Sequence, residues 1–297
     1  MLFYFSPLLS DGKILSCDNI RLNLRFLSLD ALSDFCRSIS DMYVNHYDSF
    51  KDFSYRHLFV FQGQFATFTV GVSLNGVSAD QSLYGFLDFN PNKVLGNIWY
   101  GDGFVNAVES PFTPGIAPAY GGDARFWNVW SILRRYCLDM TVKRYDFAVD
   151  IACQRGRIQL FKEDQRRYSQ FWRSPDNYTE YLGTKNEGGR VKVYNKSIES
   201  ELDYPLTRIE CTCDSFEYAR FQKCFPKVYF RRLLNLGKEG VMVQLLSKVP
   251  SDELDFYMRQ LSAPSRRKYR ALLVQEPLEV SLEEFQKVVL KIKQFEL

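Results

Sequence analysis

Three short segments of the chain alternate polar and apolar residues at the period of a β-strand. In segment 143–151 this alternation places Asp146 and Asp150 on one face, and in segment 207–214 it sets Glu210 apart from its apolar neighbours. Oxygen ligands of this kind suit a hard cation, so the pattern predicts a Mg²⁺ or Mn²⁺ site formed by these three carboxylates. A regular strand separates the two aspartates by about 13 Å. Glu210 must therefore bridge them, a bulge must shorten the strand, or only one aspartate binds the ion directly.

Tyr194 lies between Lys192 and Lys196 on the same face of a third predicted strand. Two ammonium groups reduce the cost of a phenolate and attract a phosphodiester, so this spacing indicates a tyrosine nucleophile. A phenol with an ordinary pKa of about 10 is a weak nucleophile. Attack on phosphorus therefore requires a metal that neutralises the phosphoryl oxygens or a base that accepts the proton.

The same three segments also suit an ordinary solvated sheet face. Arg144, Lys192, Lys196 and Arg208 could pair with the acids, and Tyr194 could be a strand aromatic with a hydrated hydroxyl group. Spacing alone leaves both interpretations open.

The remaining sequence predicts an α+β protein with a curved, mainly antiparallel β-sheet flanked by helices and a helical C-terminal region. The chain has 297 residues, and its 25 Phe and 18 Tyr favour strands. Strands are predicted at 1–9, 14–28, 56–74, 83–89, 179–183, 190–196 and 206–214. Helices are predicted from Ser28 to about Asn45, over 124–139 with an aromatic core stripe, around 216–224, and beyond Pro226 to a closing helix at 285–295. Residues 156–164 fit either a helix or a strand, and 101–122 predict a long loop.

Composition narrows the classes of site. The seven cysteines include no CxxC pair and are odd in number, which favours reduced thiols in a cytoplasmic protein. Only two histidines occur, His46 and His57, and both fit ordinary imidazoles rather than histidine-led catalysis. The apolar N-terminal run is too short to predict a membrane span. A net charge of +3 is too small to indicate nucleic acid by itself.

Taken in order, the motifs resemble the replication initiation factor family, the rolling-circle initiators of small plasmids with relatives in filamentous phages and integrative elements. The resemblance covers roughly residues 125–225, and its parts are Arg144-x-Asp146-x-x-x-Asp150, Tyr181-Leu182-Gly183-Thr184, Tyr194-x-Lys196 and Arg208-x-Glu210. Thr184 stands where the family usually has serine. The paired histidines of the HUH nickases are absent, as they are in the family.

The resemblance implies a metal-dependent, site-specific nicking and strand-transfer enzyme that acts on single-stranded DNA through a 5′-phosphotyrosine intermediate. Tyr194 would be the nucleophile, with Tyr181 or Tyr178 as alternatives, and Lys196 and Arg208 would be basic partners. Asp146, Asp150 and Glu210 would be the metal ligands. The implied partners are a replication origin and a host helicase, and the family likeness suggests a homodimer.

Basic residues cluster in two places that we expect to contact DNA phosphates. The first cluster surrounds the predicted hairpin and contains Arg166, Arg167, Lys185, Arg190 and Lys192; the second lies in the tail and contains Arg266, Arg267, Lys268 and Arg270. Tyr168, Phe171, Trp172 and Tyr178 interleave with the first cluster and suit stacking on unpaired bases. The clusters also fit solvated faces. We therefore predict a nicking and strand-transfer domain over 1–225 and a helical region over 226–297 that recognises the origin.

Two other functions fit the same residues. A relaxase for conjugative or integrative transfer would share the chemistry and differ in its origin and partners. A DNA-binding regulator that kept the fold without catalysis would bind DNA but show no cleavage dependent on a divalent ion.

Overall fold

The computed structural model describes residues 13–47, 57–63, 67–72, 83–94, 123–160, 165–174, 177–184, 188–202, 204–226, 228–230, 242, 245–246, 249, 251–273 and 278–297. The strand predicted at 1–9, the loop predicted at 101–122 and Lys185 lie outside these residues. No helix among the described residues is long and apolar enough to cross a bilayer.

Strands and helices are interspersed along the chain, and the last three helices follow the last strand. The strands are β1 Lys13–Phe26, β2 Asn45–Tyr47, β3 His57–Gln62, β4 Thr67–Val72, β5 Tyr84–Phe89, β6 Cys137–Ile151, β7 Ile158–Leu160, β8 Tyr168–Ser174, β9 Asn177–Leu182, β10 Val191–Asn195, β11 Thr207–Cys213 and β12 Val228–Phe230. The helices are α1 Leu29–Ser38, α2 Pro91–Val94, α3 Ala124–Tyr136, α4 Lys196–Glu199, α5 Tyr218–Cys224, α6 Ser251–Arg259, α7 Ala263–Leu273 and α8 Leu282–Lys293.

Ten of the described strands form one open antiparallel sheet, in the order β2-β3-β4-β5-β1-β6-β11-β10-β9-β8. A second, two-stranded antiparallel sheet pairs β12 with β7. The prediction of an α+β fold with a helical C-terminal region is confirmed.

The chain divides into two compact units. Unit 1 comprises residues 1–149, 210–217 and 282–297, and unit 2 comprises residues 150–209 and 218–281. Strands β6 and β11 contribute residues to both. The residue ranges of these units differ from those of the predicted domains, 1–225 and 226–297. The assignment of separate functions to those two domains stays a prediction.

Unit 1 has an aromatic core against helix α3, as the helical spacing of its aromatic residues predicts. Asp123 caps the helix by accepting hydrogen bonds from the Arg125 and Phe126 amides. Phe126 packs 4.8 Å, centroid to centroid, from Phe89 of β5, and Trp130 packs 5.6 Å from Phe295 beyond α8. The apolar face of β6 joins this core where Phe147 contacts Phe285 of α8. These contacts leave the polar face of β6 on the other side of the strand.

The two histidines meet across strands β2 and β3 of unit 1. His46 Nε2 lies 3.1 Å from His57 Nδ1, and the His46 ring also stacks on Phe59 with centroids 4.6 Å apart. Both imidazoles are at least partly exposed. The sequence predicts two ordinary imidazoles, and strand pairing makes these two side chains neighbours.

Unit 2 carries the hairpin that the sequence predicts. Strand β9 pairs with β10, and the connecting turn uses positive φ angles of 84° at Gly183 and 82° at Gly189. Arg166 ties this turn to helix α5, because its Nη1 atom donates to the carbonyls of Gly189 and Cys224. The hairpin therefore has a fixed connection to the rest of unit 2.

Helix α1 and strand β12 differ from their predictions. Helix α1 is capped by Ser28 as predicted but ends at Ser38 rather than near Asn45. Segment 228–230 forms strand β12 just after Pro226, where the pattern predicts helix. Segment 168–174, for which no element is predicted, forms strand β8. Segment 156–164, predicted as either a helix or a strand, contains the short strand β7 after a 3₁₀ turn.

Candidate active site

The hairpin of unit 2 sorts its residues onto two chemically different faces. Lys192 of β10 pairs with Tyr181 of β9, and Tyr181 pairs with Ser169 of β8, so these residues share a face. Tyr194 lies two residues after Lys192 and therefore projects to the same side. The opposite face carries Val193, Glu180 and Gln170. The first face is named the tyrosine face here.

Tyr194 is surrounded by cations, as its sequence spacing predicts. The Nζ atom of Lys192 lies 3.8 Å from the centre of the Tyr194 ring, and that of Lys196 lies 5.8 Å from it. Ammonium groups over an aromatic ring are attracted to its π-electrons and lower the energy of any negative charge that the ring acquires. Tyr194 is only 5% exposed, so these interactions are poorly screened by water.

Glu199 completes this cluster, and sequence analysis missed it. Asn195 caps the single turn of helix α4 by accepting a hydrogen bond from the Ile198 amide, which brings Glu199 back beside Lys196. The Glu199 carboxylate forms an ion pair with the Lys196 ammonium and a hydrogen bond with the Tyr194 side chain. The signal was the i,i+3 spacing of Lys196 and Glu199 directly after the tyrosine.

Opposing effects set the charge state of Glu199. Partial burial raises the pKa of this carboxyl, but the Lys196 ammonium and its hydrogen bond lower it, with further lowering by Lys192 and the Tyr194 hydroxyl. The net result is a lowered pKa. Glu199 is therefore ionised at neutral pH and can accept a hydrogen bond from the phenol.

Asp150 and Arg208 form a buried bidentate pair in unit 2. Arg208 Nε donates to Asp150 Oδ1 at 2.6 Å, and a terminal nitrogen donates to Oδ2 at 2.5 Å. Both side chains are fully buried. A metal at Asp150 or a phosphate at Arg208 would have to compete with this pairing, because each charge already neutralises the other.

Asp146 and Glu210 belong to unit 1. Asp146 Oδ1 accepts a hydrogen bond of 2.7 Å from the Thr212 hydroxyl. Burial raises the pKa of the Asp146 carboxyl. The Thr212 hydrogen bond and the Arg144 guanidinium lower this pKa. The nearby carboxylates of Asp18 and Asp88 raise it further. The net shift is upward. Glu210 is 8% exposed on strand β11.

Two of the predicted metal ligands, Asp146 and Asp150, are already hydrogen-bonded to other side chains. Within the described ranges, no group of three or more His, Cys, Asp or Glu side chains is placed to hold a metal. Both carboxylate oxygens of Asp150 accept hydrogen bonds from Arg208, and Asp146 accepts one from the Thr212 hydroxyl. With both oxygens bonded to Arg208, the Asp150 carboxylate does not fit a metal ion in this conformation.

The two alternative tyrosines occupy different faces. Tyr181 shares the tyrosine face with Tyr194 and has the Arg190 guanidinium 4.9 Å from its ring centre. Tyr178 points to the opposite side, where it stacks on Trp172. Tyr181 therefore stays an alternative on geometric grounds, whereas Tyr178 is turned away from the Lys192 and Lys196 ammonium groups.

The predicted DNA-binding residues of the hairpin differ in their surroundings. Arg167 is exposed, while Arg190 and Lys192 are half-buried on the tyrosine face beside Tyr181 and Tyr194. Arg166 instead uses its guanidinium to hold two backbone carbonyls. The tyrosine face thus combines cations with aromatic rings, a combination suited to nucleic acid.

The tail cluster lies on helix α7. Arg267, Lys268 and Arg270 are exposed, and Arg270 pairs with Asp255 of α6 at 2.9 Å. Arg266 is half-buried and donates to the Leu261 carbonyl. The helix therefore presents charge to solvent while Arg266 helps to fix its first turn.

Comparison with solved structures finds a likeness at low sequence identity. No family model matches the chain, and no curated protein matches it. A solved structure of a rolling circle replication initiator protein from Geobacillus stearothermophilus aligns over 79% of this chain and 84% of that chain, with 13% sequence identity and a TM-score of 0.36. A likeness of this size is too low to establish a shared activity, so the function proposed below rests on the residues of unit 2.

Proposed function

We propose that the protein is a DNA nicking and strand-transfer enzyme that initiates rolling-circle replication, with Tyr194 as its nucleophile. The observation that supports this proposal is the cluster of Lys192, Lys196 and Glu199 around one buried phenol. It provides the base and the cations that phosphoryl attack by tyrosine requires. The order of the motifs around this cluster resembles that of the replication initiation factor family.

In the proposed reaction, the Tyr194 oxygen attacks the scissile phosphorus while its proton passes to the Glu199 carboxylate. The bond between phosphorus and the 3′ oxygen breaks, and that oxygen takes a proton from water. The products are a 5′-phosphotyrosine and a free 3′ hydroxyl, which can prime synthesis. Strand transfer is the reverse reaction, in which a 3′ hydroxyl displaces the tyrosine.

The energetics favour proton transfer during attack. Ordinary phenols and carboxylic acids differ by about six pKa units, so complete transfer beforehand would cost about 8 kcal/mol. Lys192 and Lys196 reduce this cost because they stabilise negative charge on the ring and oxygen. The same ammonium groups attract the phosphate that is attacked.

The metal remains a separate proposal. A Mg²⁺ or Mn²⁺ ion held by Asp146, Asp150 or Glu210 would neutralise phosphoryl oxygens when bound. Such binding would require Asp150 to exchange its Arg208 pairing for the ion. A phosphate contact by Arg208 likewise stays a prediction. The same is true of a helicase partner and of a homodimer. A relaxase would use the same chemistry.

A second candidate is a DNA-binding regulator without catalysis. Two observations favour it: Tyr194 is 5% exposed, and both oxygens of Asp150 bond Arg208. A protein of this kind would use the basic and aromatic tyrosine face for binding only.

Nicking of the replicon that carries the gene distinguishes these functions. Supercoiled circles of this DNA, incubated with protein and Mg²⁺ or Mn²⁺, should become open circles with protein attached to a 5′ end. Tyr194→Phe should bind the DNA but leave it closed, while Tyr181→Phe should still nick. Binding by the wild type without nicking under either ion would reject the enzyme and support the regulator.

A further inference from the structure

Strands β8 and β9 carry a layered stack on the face opposite Tyr194. The Arg155 guanidinium lies 4.5 Å from the centre of the Tyr178 ring, and the Trp172 ring stacks on Tyr178 with centroids 4.4 Å apart and planes 21° from parallel. Trp172 and Tyr178 are cross-strand partners in the sheet register. Three flat groups from three segments of unit 2 thus form one assembly, named the β8 stack here.

The inner end of the β8 stack is firmly held. Arg155 is 2% exposed, donates to the Ile158 carbonyl at 2.9 Å and forms an ion pair with Glu180. Glu180 also accepts hydrogen bonds from Tyr168 and Gln170. This network neutralises the only acid that the described part of the hairpin places on this face, and it fixes the orientation of the guanidinium.

The outer end is open. Trp172 is 55% exposed, on a strand whose seven residues are all exposed. Strand β8 is the last strand of the sheet, and a register shift between Trp172 and Ser174 interrupts its pairing. Such irregularities re-aim side chains, and large exposed aromatics at one place mark a binding surface.

Charge identifies the occupant. Glu180, on the face of Trp172, is neutralised by Arg155. Arg167 precedes the edge strand, and Arg173, within it, lies 5.9 Å from the centre of the Phe171 ring on the tyrosine face. A sheet edge that carries an exposed indole on one face and arginines on the other suits an anionic chain that carries flat rings. An acidic or purely apolar peptide would use only one of these two features.

We propose that the β8 stack is a binding site for an unpaired nucleobase of single-stranded DNA, which extends the stack on Trp172. This inference rests on the proposed function for the identity of the nucleic acid. It assigns Trp172 as the contact and Tyr178 and Arg155 as its support. Tyr168, which sequence analysis grouped with them, bonds Glu180 through its hydroxyl and serves the support network.

Binding by the full-length Tyr194→Phe protein tests the site without cleavage. Fluorescence anisotropy would compare a labelled twelve-residue oligothymidylate with an abasic oligonucleotide that has the same number of phosphates. Addition of Trp172→Ala should weaken binding to oligothymidylate about tenfold, as expected for loss of one stacked base, and should leave abasic binding nearly unchanged. Tyr84→Ala is the matched control, because Tyr84 is 53% exposed on β5 of unit 1.

A conservative variant supplies a second readout. Trp127 and Trp130 are buried, and Trp99 lies outside the described residues, so the measurement uses a Trp99→Phe background. In that background, quenching of tryptophan fluorescence by the oligonucleotide should depend on Trp172. Trp172→Phe should keep most of the affinity and lose most of the quenching. Three results would overturn the site. The first is an equal loss of affinity for both oligonucleotides, and the second is an absence of binding by the parent Tyr194→Phe protein. The third is an effect of Trp172→Ala on self-association alone. If Trp172→Ala weakens oligothymidylate binding but the wild-type protein forms no tyrosyl–DNA adduct, the base-binding site is supported and only the proposed nicking activity is rejected.

Discussion

The Lys192 ammonium lies 3.8 Å from the centre of the Tyr194 ring, closer than any other cation described around that phenol. A cation at this position stabilises charge that develops on the tyrosine by about 0.5–2 kcal/mol. Sequence spacing placed the two side chains on one face, and the structure places the charge over the ring itself.

Replacement of this ammonium should slow nicking. Lys192→Met keeps most of the length of the side chain but removes its charge. We expect a roughly tenfold lower single-turnover rate because the phenolate loses a stabilising cation. DNA affinity should become less salt-dependent by about one phosphate contact. Lys192→Arg should retain most of both properties, and an unchanged rate for Lys192→Met would remove Lys192 from the site.

Glu199 should act as the proton acceptor. We expect Glu199→Gln to reduce the nicking rate by about a hundredfold, the lower end of the range for general-base catalysis. Glu201→Gln, which changes an exposed neighbour in the same way, should leave the rate unaltered. Equal effects of the two variants would indicate general electrostatics.

The pH dependence of this step has a defined direction. Burial raises the pKa of Glu199, but the Lys196 ammonium and its hydrogen bond outweigh that effect and lower the pKa overall, so the ionised form persists to pH values below the ordinary carboxyl range. The ion pair with Lys196 is complete above the unfolded pKa of Glu199 and is lost as pH falls through the folded value. Between pH 5 and 8 the nicking rate should therefore show no step from Glu199, and such a step would contradict its assignment.

The Asp150 and Arg208 pair should stabilise unit 2. Asp150→Ala leaves a buried, unpaired guanidinium, and urea unfolding should show a loss of about 3–5 kcal/mol. The double variant Asp150→Leu/Arg208→Met should recover much of this loss, since well-packed apolar pairs often replace buried ion pairs. Stabilisation of the wild type by Mg²⁺ that disappears in Asp150→Asn would instead identify Asp150 as a metal ligand.

The ionised form of Asp146 should destabilise the folded state relative to the unfolded state. Burial raises its folded pKa, so the folded state binds its proton more strongly than the unfolded state does, and stability falls as pH rises through the unfolded and then the folded pKa. Asp146→Asn, which can still accept the Thr212 hydrogen bond, should gain stability relative to the wild type as pH rises above the ordinary aspartate pKa of about 4. A difference that stays constant with pH would show that the shift is absent.

The parts of the structure that sequence predicts are those governed by regular periodicity. The alternation around Val191 and Tyr194 and the aromatic spacing around Phe126 each reflect burial of one face, so strand β10 and helix α3 follow directly. Strand β8 has no such signal because both of its faces are exposed. Strand β12 is only three residues long, and a pairing partner rather than its own pattern determines it.

The candidate site likewise contains some features that local spacing predicts and others that depend on the tertiary structure. The cations on the Tyr194 face follow from local spacing, whereas Glu199 reaches the phenol only because helix α4 reverses the chain for one turn. The Asp150 and Arg208 pairing depends on which strand lies beside β6, which no local pattern specifies. Tyr178 and Trp172 likewise become partners only through the register of two strands.

Mass spectrometry of the tyrosyl–DNA adduct tests the central claim most directly. Oligonucleotides tiled across the replicon that carries the gene would be incubated with the protein, and peptides that retain a nucleotide would be sequenced. The proposed function predicts a 5′-phosphate on Tyr194, absent in Tyr194→Phe and strongly reduced in Glu199→Gln. An adduct on Tyr181, or cleavage that proceeds without any protein–DNA linkage, would contradict it.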